Sequence, residues 1–172
     1  MSSQPLILTL ALEPTAQQHF ESLRQRYFPP ERNFIPAHIT LFHHLPADEL
    51  PAVSAQLTAA TAETPFFPVS VTGLRSLGRG VAFQIESPTL VTLQARLARS
   101  FAPWLTRQDR QGFRPHIVVQ NKVDAPTARQ TLAELSISFA PFTTHATTLL
   151  LWRYLGGPWQ PVTEFPFTAP NP

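Results

Sequence analysis

Residues 36–41, Pro36-Ala37-His38-Ile39-Thr40-Leu41, and residues 114–119, Arg114-Pro115-His116-Ile117-Val118-Val119, are two versions of one phrase. Each sets a histidine at the head of an apolar, β-branched run, which reads as a strand. Side chains alternate along a strand. His38, Thr40, Phe42 and His44 are therefore expected on one face, with Ile39, Leu41 and Leu45 on the other. In the second strand His116, Val118, Gln120 and Lys122 share a face, opposite Ile117, Val119 and Val123. His43 is predicted to point away from the face that carries His38.

Outward from these two strands, the order of elements repeats. Residues 6–12 read as a strand, and no basic region precedes them, so we read no signal peptide. Pro14 opens a helix with Ala16, Phe20, Leu23 and Tyr27 at helical spacing, stopped by Pro29-Pro30. The strand at 37–45 follows. Asp48 is placed to cap a helix carrying Leu50, Val53, Leu57 and Ala60. Residues 66–74 close this half as a strand. The second half restarts with a strand at 79–86 and a helix capped by Ser87-Pro88, carrying Leu90, Leu93, Leu97 and Phe101. The strand at 115–123 comes next, then a helix capped by Asp124 and carrying Ala128, Leu132 and Leu135. Strands at 136–139, 143–154 and 159–167 complete the reading.

The predicted architecture is α+β. It is one bilobal domain over residues 1–172, with a pseudo-twofold β-α-β-α-β repeat. Mainly antiparallel sheets line a central groove and the helices lie outside. The first lobe ends near residue 76 and the second begins near 77, with terminal strands free to cross between them.

Composition bounds the chemistry. At 43% hydrophobic over 172 residues, the chain can bury a core. It has no cysteine, so thiolate metal sites and cysteine nucleophiles are excluded. No apolar run is long enough to span a bilayer, and a cytoplasmic location is expected. Net charge is only +2. Residues 64–122, however, carry Arg75, Arg79, Arg96, Arg99, Arg107, Arg110, Arg114 and Lys122 against Glu86 and Asp109. A local positive field suits a phosphate-bearing ligand.

Two imidazoles facing one phosphate make an acid/base pair. Histidine titrates near pH 6.5; a neutral ring accepts a proton, and a protonated ring delivers one to a leaving oxygen. A threonine hydroxyl two residues on can donate to a non-bridging phosphate oxygen. No metal or other cofactor is required. We assign leaving-group protonation to His38 and water activation to His116.

The paired His-x-Thr-like strands resemble the 2H phosphoesterase superfamily, and within it the bacterial 2′-5′ RNA ligase-like and RNA 2′,3′-cyclic phosphodiesterase proteins. The resemblance implies a bilobal fold and catalysis by His38 and His116. It also implies opening of a 2′,3′-cyclic phosphate on an RNA end or small nucleotide, with 2′-5′ ligation in some relatives. One position departs from the pattern, because the second motif calls for Thr or Ser and this chain has Val118. A hydrogen bond to a charged group is worth about 1.5–3 kcal/mol, so the departure predicts a slower enzyme. The alternative is a binding module for RNA or nucleotides that turns nothing over.

Phosphate binding is expected from Thr40, Arg114, Gln120 and Lys122. Base stacking is expected from Phe42, Phe83, Trp152 and Tyr154. His44 is placed at the groove edge, and His19 and His145 on the surface. His38, His43 and His44 form no metal site, since no acidic residue accompanies them before Asp48. Residues 107–112 read as an exposed polar loop near the ligand. Both histidines come from one chain, so a monomer is expected.

Overall fold

The computed structural model describes residues 4–169. The first three residues of the stretch read as free of a signal peptide, and the last three of the second half, lie outside it.

The first half contains β1 (Leu6–Leu12), α1 (Pro14–Tyr27), β2 (Ile39–Leu45), α2 (Leu50–Ala62) and β3 (Phe67–Ser76). The second contains β4 (Val81–Glu86), α3 (Pro88–Ser100), β5 (His116–Gln120), α4 (Ala125–Ser138) and β6 (Phe142–Tyr154). A final strand, β7 (Trp159–Pro166), pairs with β6. Proline at the first turn suits all four helices, since no intrahelical N–H is lost there. Ser87 Oγ accepts from Leu90 N and Asp124 Oδ1 from Thr127 N, so both predicted caps are in place.

Two local expectations are corrected. Asp48 does not cap α2. It lies in a short 3₁₀ turn, Ala47–Glu49, and α2 begins at Leu50 without a side-chain cap. Residues 136–138 are the last turn of α4, not a strand. Four alternating residues are too few to escape a helix already running, and Ser136 Oγ returns to Leu132 O as it does in helices. The helix stops where Phe139 turns extended, ahead of Pro141.

The strands form one antiparallel sheet in the order β2-β1-β6-β3-β4-β5. That order reads the same from either end when β1 matches β4, β2 matches β5 and β3 matches β6. Each half therefore lends its last strand to the other. β6 pairs with β1 through Leu6↔Arg153 to Leu12↔Ala146, while β3 pairs with β4 and crosses to β6 near Ala146. The sheet curls until its two edges, β2 and β5, approach each other, and α1 packs against β5. β1 is buried along almost its whole length, as expected of a strand covered on both faces. Among the described residues, no helix is long and apolar enough to cross a membrane.

Candidate active site

His38 directly precedes β2, and His116 is the first residue of β5. The two neighbourhoods share a register. In the first half Leu10↔Ile39 and Thr9↔Thr40 pair, and then Leu8 meets Phe42. In the second, Phe83↔Ile117 and Ala82↔Val118 pair, and then Val81 meets Gln120. Each motif strand thus carries one extra residue just after Thr40 or Val118. Such a bulge breaks the two-residue alternation.

Both imidazoles are oriented alike. His38 Nδ1 lies 2.8 Å from Pro36 O, and His116 Nδ1 lies 2.9 Å from Arg114 O. A carbonyl can only accept, so each Nδ1 carries the proton and each Nε2 keeps a free lone pair. Burial, with the Trp159 ring packed 4.9 Å away, lowers the His38 pKa to about 4. The charges of Arg24, His116 and His43 push in the same direction. His116 is also held below its ordinary value, first by burial and then by the charges of Arg75 and His43.

Helix α1 holds both motifs from beneath. Gln17 Nε2 donates to Ala37 O (2.7 Å), and Glu21 Oε1 accepts from Ala37 N, next to His38. Arg24 is only 2% exposed. Its Nη1 donates to Val118 O at 2.9 Å, its Nε donates to Asn33 Oδ1, and its guanidinium lies over the Phe28 ring. These three residues are spaced four and three apart, on one helix face. One helix thereby ties the segment just before His38 to the strand of His116.

A cavity of about 530 Å³ is lined by Thr40, His43, Arg75, Asp109, Arg114 and His116, with Gln94, Gln108 and Gln111 among its other walls. His38 lines a neighbouring recess of about 210 Å³ with Thr9 and Trp152. Trp152 is half-buried, and its Nε1 donates to Thr9 Oγ1. Trp159, not singled out from the sequence, completes an aromatic cluster with Trp152 and His38.

Several expected site residues lie elsewhere. Phe42 is fully buried against Phe101, and Gln120 is buried with Nε2 on Thr131 Oγ1. Both stand just past the bulge, which turns them inward. Lys122 lies beyond the end of β5, exposed, with φ 62°, so strand alternation no longer aims it at the face of His116. Phe83 is core, packed on Phe20 and Phe139. Tyr154 is exposed at the far end of β6 and lines neither the cavity nor the recess.

His43 lines the cavity, contrary to the alternation argument, again because of the bulge. His44 is exposed but is not part of the cavity wall. His19 and His145 are exposed, as expected, and His145 Nδ1 meets Glu13 Oε2. The 107–112 loop is anchored rather than free. Asp109 is buried, and its carboxylate accepts from His43 N, His44 N and His43 Nδ1 at 2.9–3.0 Å. Burial raises its pKa, but the His43 and His44 hydrogen bonds outweigh this and hold it below the ordinary value. Among the described residues, no three His, Cys, Asp or Glu side chains cluster so as to hold a metal ion.

Comparisons with known proteins agree with this fold. The family described as the 2′-5′ RNA ligase superfamily matches residues 12–158. Among solved structures, TT0787 of Thermus thermophilus is similar at 16% identity and a TM-score of 0.70, over 97% of this chain and 100% of that one. E. coli LigT complexed with 3′-AMP is similar at 19% identity and a TM-score of 0.64, over 96% and 99%. Usb1 of Kluyveromyces marxianus is similar at 14% identity and a TM-score of 0.53, over 94% and 99%. At these identities the likeness is one of fold. Among curated proteins, none matches the chain.

Proposed function

The chain belongs to the 2′-5′ RNA ligase superfamily, and from that membership we propose that it is a phosphodiesterase that opens 2′,3′-cyclic phosphates on RNA ends or small nucleotides. The superfamily is one of phosphoesterases and ligases, and 2′-5′ ligation would be the same ring opening with an RNA 5′-hydroxyl attacking phosphorus in place of water. The observation that carries the reading is the matched pair of imidazoles. Each has Nδ1 tied to the carbonyl two residues earlier and Nε2 left free, at equivalent places in a palindromic sheet. E. coli LigT has been solved with 3′-AMP, phosphate, ATP and NADP+, ligands that combine phosphate with a base in all cases but phosphate itself. A nucleotide is the ligand class we extend to this chain.

The mechanism needs one ring neutral and one protonated. His38 has the more strongly depressed pKa, so it is the ring that stays neutral. We therefore reverse the roles read from the sequence. His38 Nε2 takes a proton from water as the water oxygen bonds to phosphorus. The P–O3′ bond breaks, and protonated His116 delivers its Nε2 proton to O3′, leaving a 2′-phosphate. Thr40 donates to a non-bridging oxygen, and Arg114 at the cavity wall supplies positive charge. Trp152 and Trp159 offer stacking surface beside His38. Both rings come from one chain, so a monomer suffices.

The test is turnover of a 2′,3′-cyclic nucleotide with chelator present. Conversion to the 2′-monophosphate that disappears in His38→Ala and in His116→Ala is expected. Binding without turnover would favour the reading as a binding module, for which Val118 speaks.

A further inference from the structure

The register that matches the two motif strands extends one strand further. In the first half a cross-strand row runs Thr40–Thr9–Leu150, since Thr9 pairs with both neighbours. The equivalent row in the second half runs Val118–Ala82–Arg75, since Ala82 pairs with both Val118 and Arg75. Residues directly opposite in an antiparallel pair project from the same face. Val118 shares its face with His116, two residues before it and ahead of the bulge. Arg75 therefore stands on that face too, separated from Val118 only by the methyl group of Ala82. It lines the cavity together with His116 and Thr40. Where the first half has Thr40 as hydroxyl donor and an apolar Leu150, the second has an apolar Val118 and a guanidinium.

We propose that Arg75 binds the substrate phosphate on the His116 side and supplies the donors that Val118 lacks. This rests on the reading of the cavity as a phosphate-ester site. The chemistry is favourable in kind. A guanidinium offers several N–H donors in a planar fork matched to phosphate oxygens, whereas a hydroxyl offers one. The small Ala82 leaves the lane between them open. Arg75 engages no carboxylate among the described residues, so its donors are not consumed by an ion pair.

The test is a four-member cycle: the natural chain, Arg75→Ala, Val118→Thr, and the double variant. Two quantities are measured for each: kcat/KM on a 2′,3′-cyclic nucleotide, and calorimetric affinity for the matching nucleoside 2′-monophosphate. Arg75→Ala is expected to lower kcat/KM roughly 10- to 100-fold and to weaken product binding in step. Val118→Thr should change the natural chain by less than about threefold but restore at least about fivefold when Arg75 is absent. A change in His116 titration alone would not be repaired by a hydroxyl at 118, so the rescue separates contact from long-range charge. Equal gains from Val118→Thr with and without Arg75 would overturn the proposal, as would an Arg75→Ala variant that binds and turns over normally. Product binding that depends on Arg75, in a chain that turns nothing over, would retire the enzyme reading and keep this one. Turnover indifferent to Arg75 would do the reverse, and a natural chain that neither binds nor turns over would retire both.

Discussion

The first and second halves of the sheet share a hydrogen-bond register residue for residue around their histidines, yet they surround them differently. Leu10↔Ile39 and Thr9↔Thr40 in one half correspond to Phe83↔Ile117 and Ala82↔Val118 in the other, with a bulge at the same step. Around that frame the first half has Thr40 and a tryptophan pair. The second has Val118, Arg75 and a buried cation beneath its strand, and residues of both halves line the cavity. The backbone register fixes where the rings stand, while their surroundings set each ring's proton affinity. The lesson is that a duplicated fold can supply acid and base from one motif when its two surroundings differ.

The strongest way to break the comparison is to remove either ring. His38→Ala and His116→Ala should each lower kcat about 10²- to 10⁴-fold. A loss confined to one of them would show that the halves are not partners in one reaction.

The next effect is on stability. The Asp109 carboxylate serves the first half, holding β2 at His43 and His44, where a second register shift follows the bulge. Asp109→Ala orphans these N–H groups and should cost about 2–3 kcal/mol in denaturant unfolding. Its folded pKa is depressed below 3.8, so the stabilisation is complete above that unfolded value and fades as pH falls through the lower folded one. His38 acts in the same sense over another window. Between pH 6.5 and about 4 the unfolded chain takes up a proton that the folded one refuses. Stability therefore drops as the pH is lowered through that window, and His38→Asn should flatten that limb.

A smaller effect sharpens the assignment of roles. In the pH profile of kcat/KM the acid limb should follow His38, near pH 4, and the alkaline limb His116, below 6.5. Arg24→Met removes a positive charge near His38 and should move the acid limb upward. An acid limb that does not respond to Arg24 would detach it from His38.

The smallest expected effect concerns residues that strand alternation alone places in the groove. Gln120→Leu and Lys122→Ala should each change kcat/KM by less than about threefold, with Gln120→Leu affecting chiefly stability through Thr131. A larger loss of activity would mean that the second strand reaches the ligand further along than its bulge allows.

Much of this was legible in the sequence, because period, caps and proline positions are local. β1 was delimited correctly, both capped helices began where Ser87 and Asp124 indicated, and the repeated order of elements was visible. The errors at the motif strands share a cause. Phe42 and Gln120 are equivalent positions, both turned inward by a bulge, and a bulge is decided by the partner strand. Phe42 gave a faint signal, being a large apolar residue on the supposedly polar face. Arg75, Asp109 and Trp159 reach the site from elements distant in sequence, and nothing local marks that convergence. Arg24 was more accessible, since Gln17, Glu21 and Arg24 form a polar stripe on an otherwise core-facing helix.

The most direct test follows both rings at once. In protein labelled with ¹⁵N-histidine, a nucleoside 2′-monophosphate is titrated while the Nδ1 and Nε2 shifts of His38 and His116 are read near neutral pH. The free protein should show Nδ1–H neutral rings at both positions, and both Nε2 signals should move together and saturate at one ligand per chain. Movement of one ring alone, or two rings saturating at different ligand concentrations, would contradict a shared phosphate.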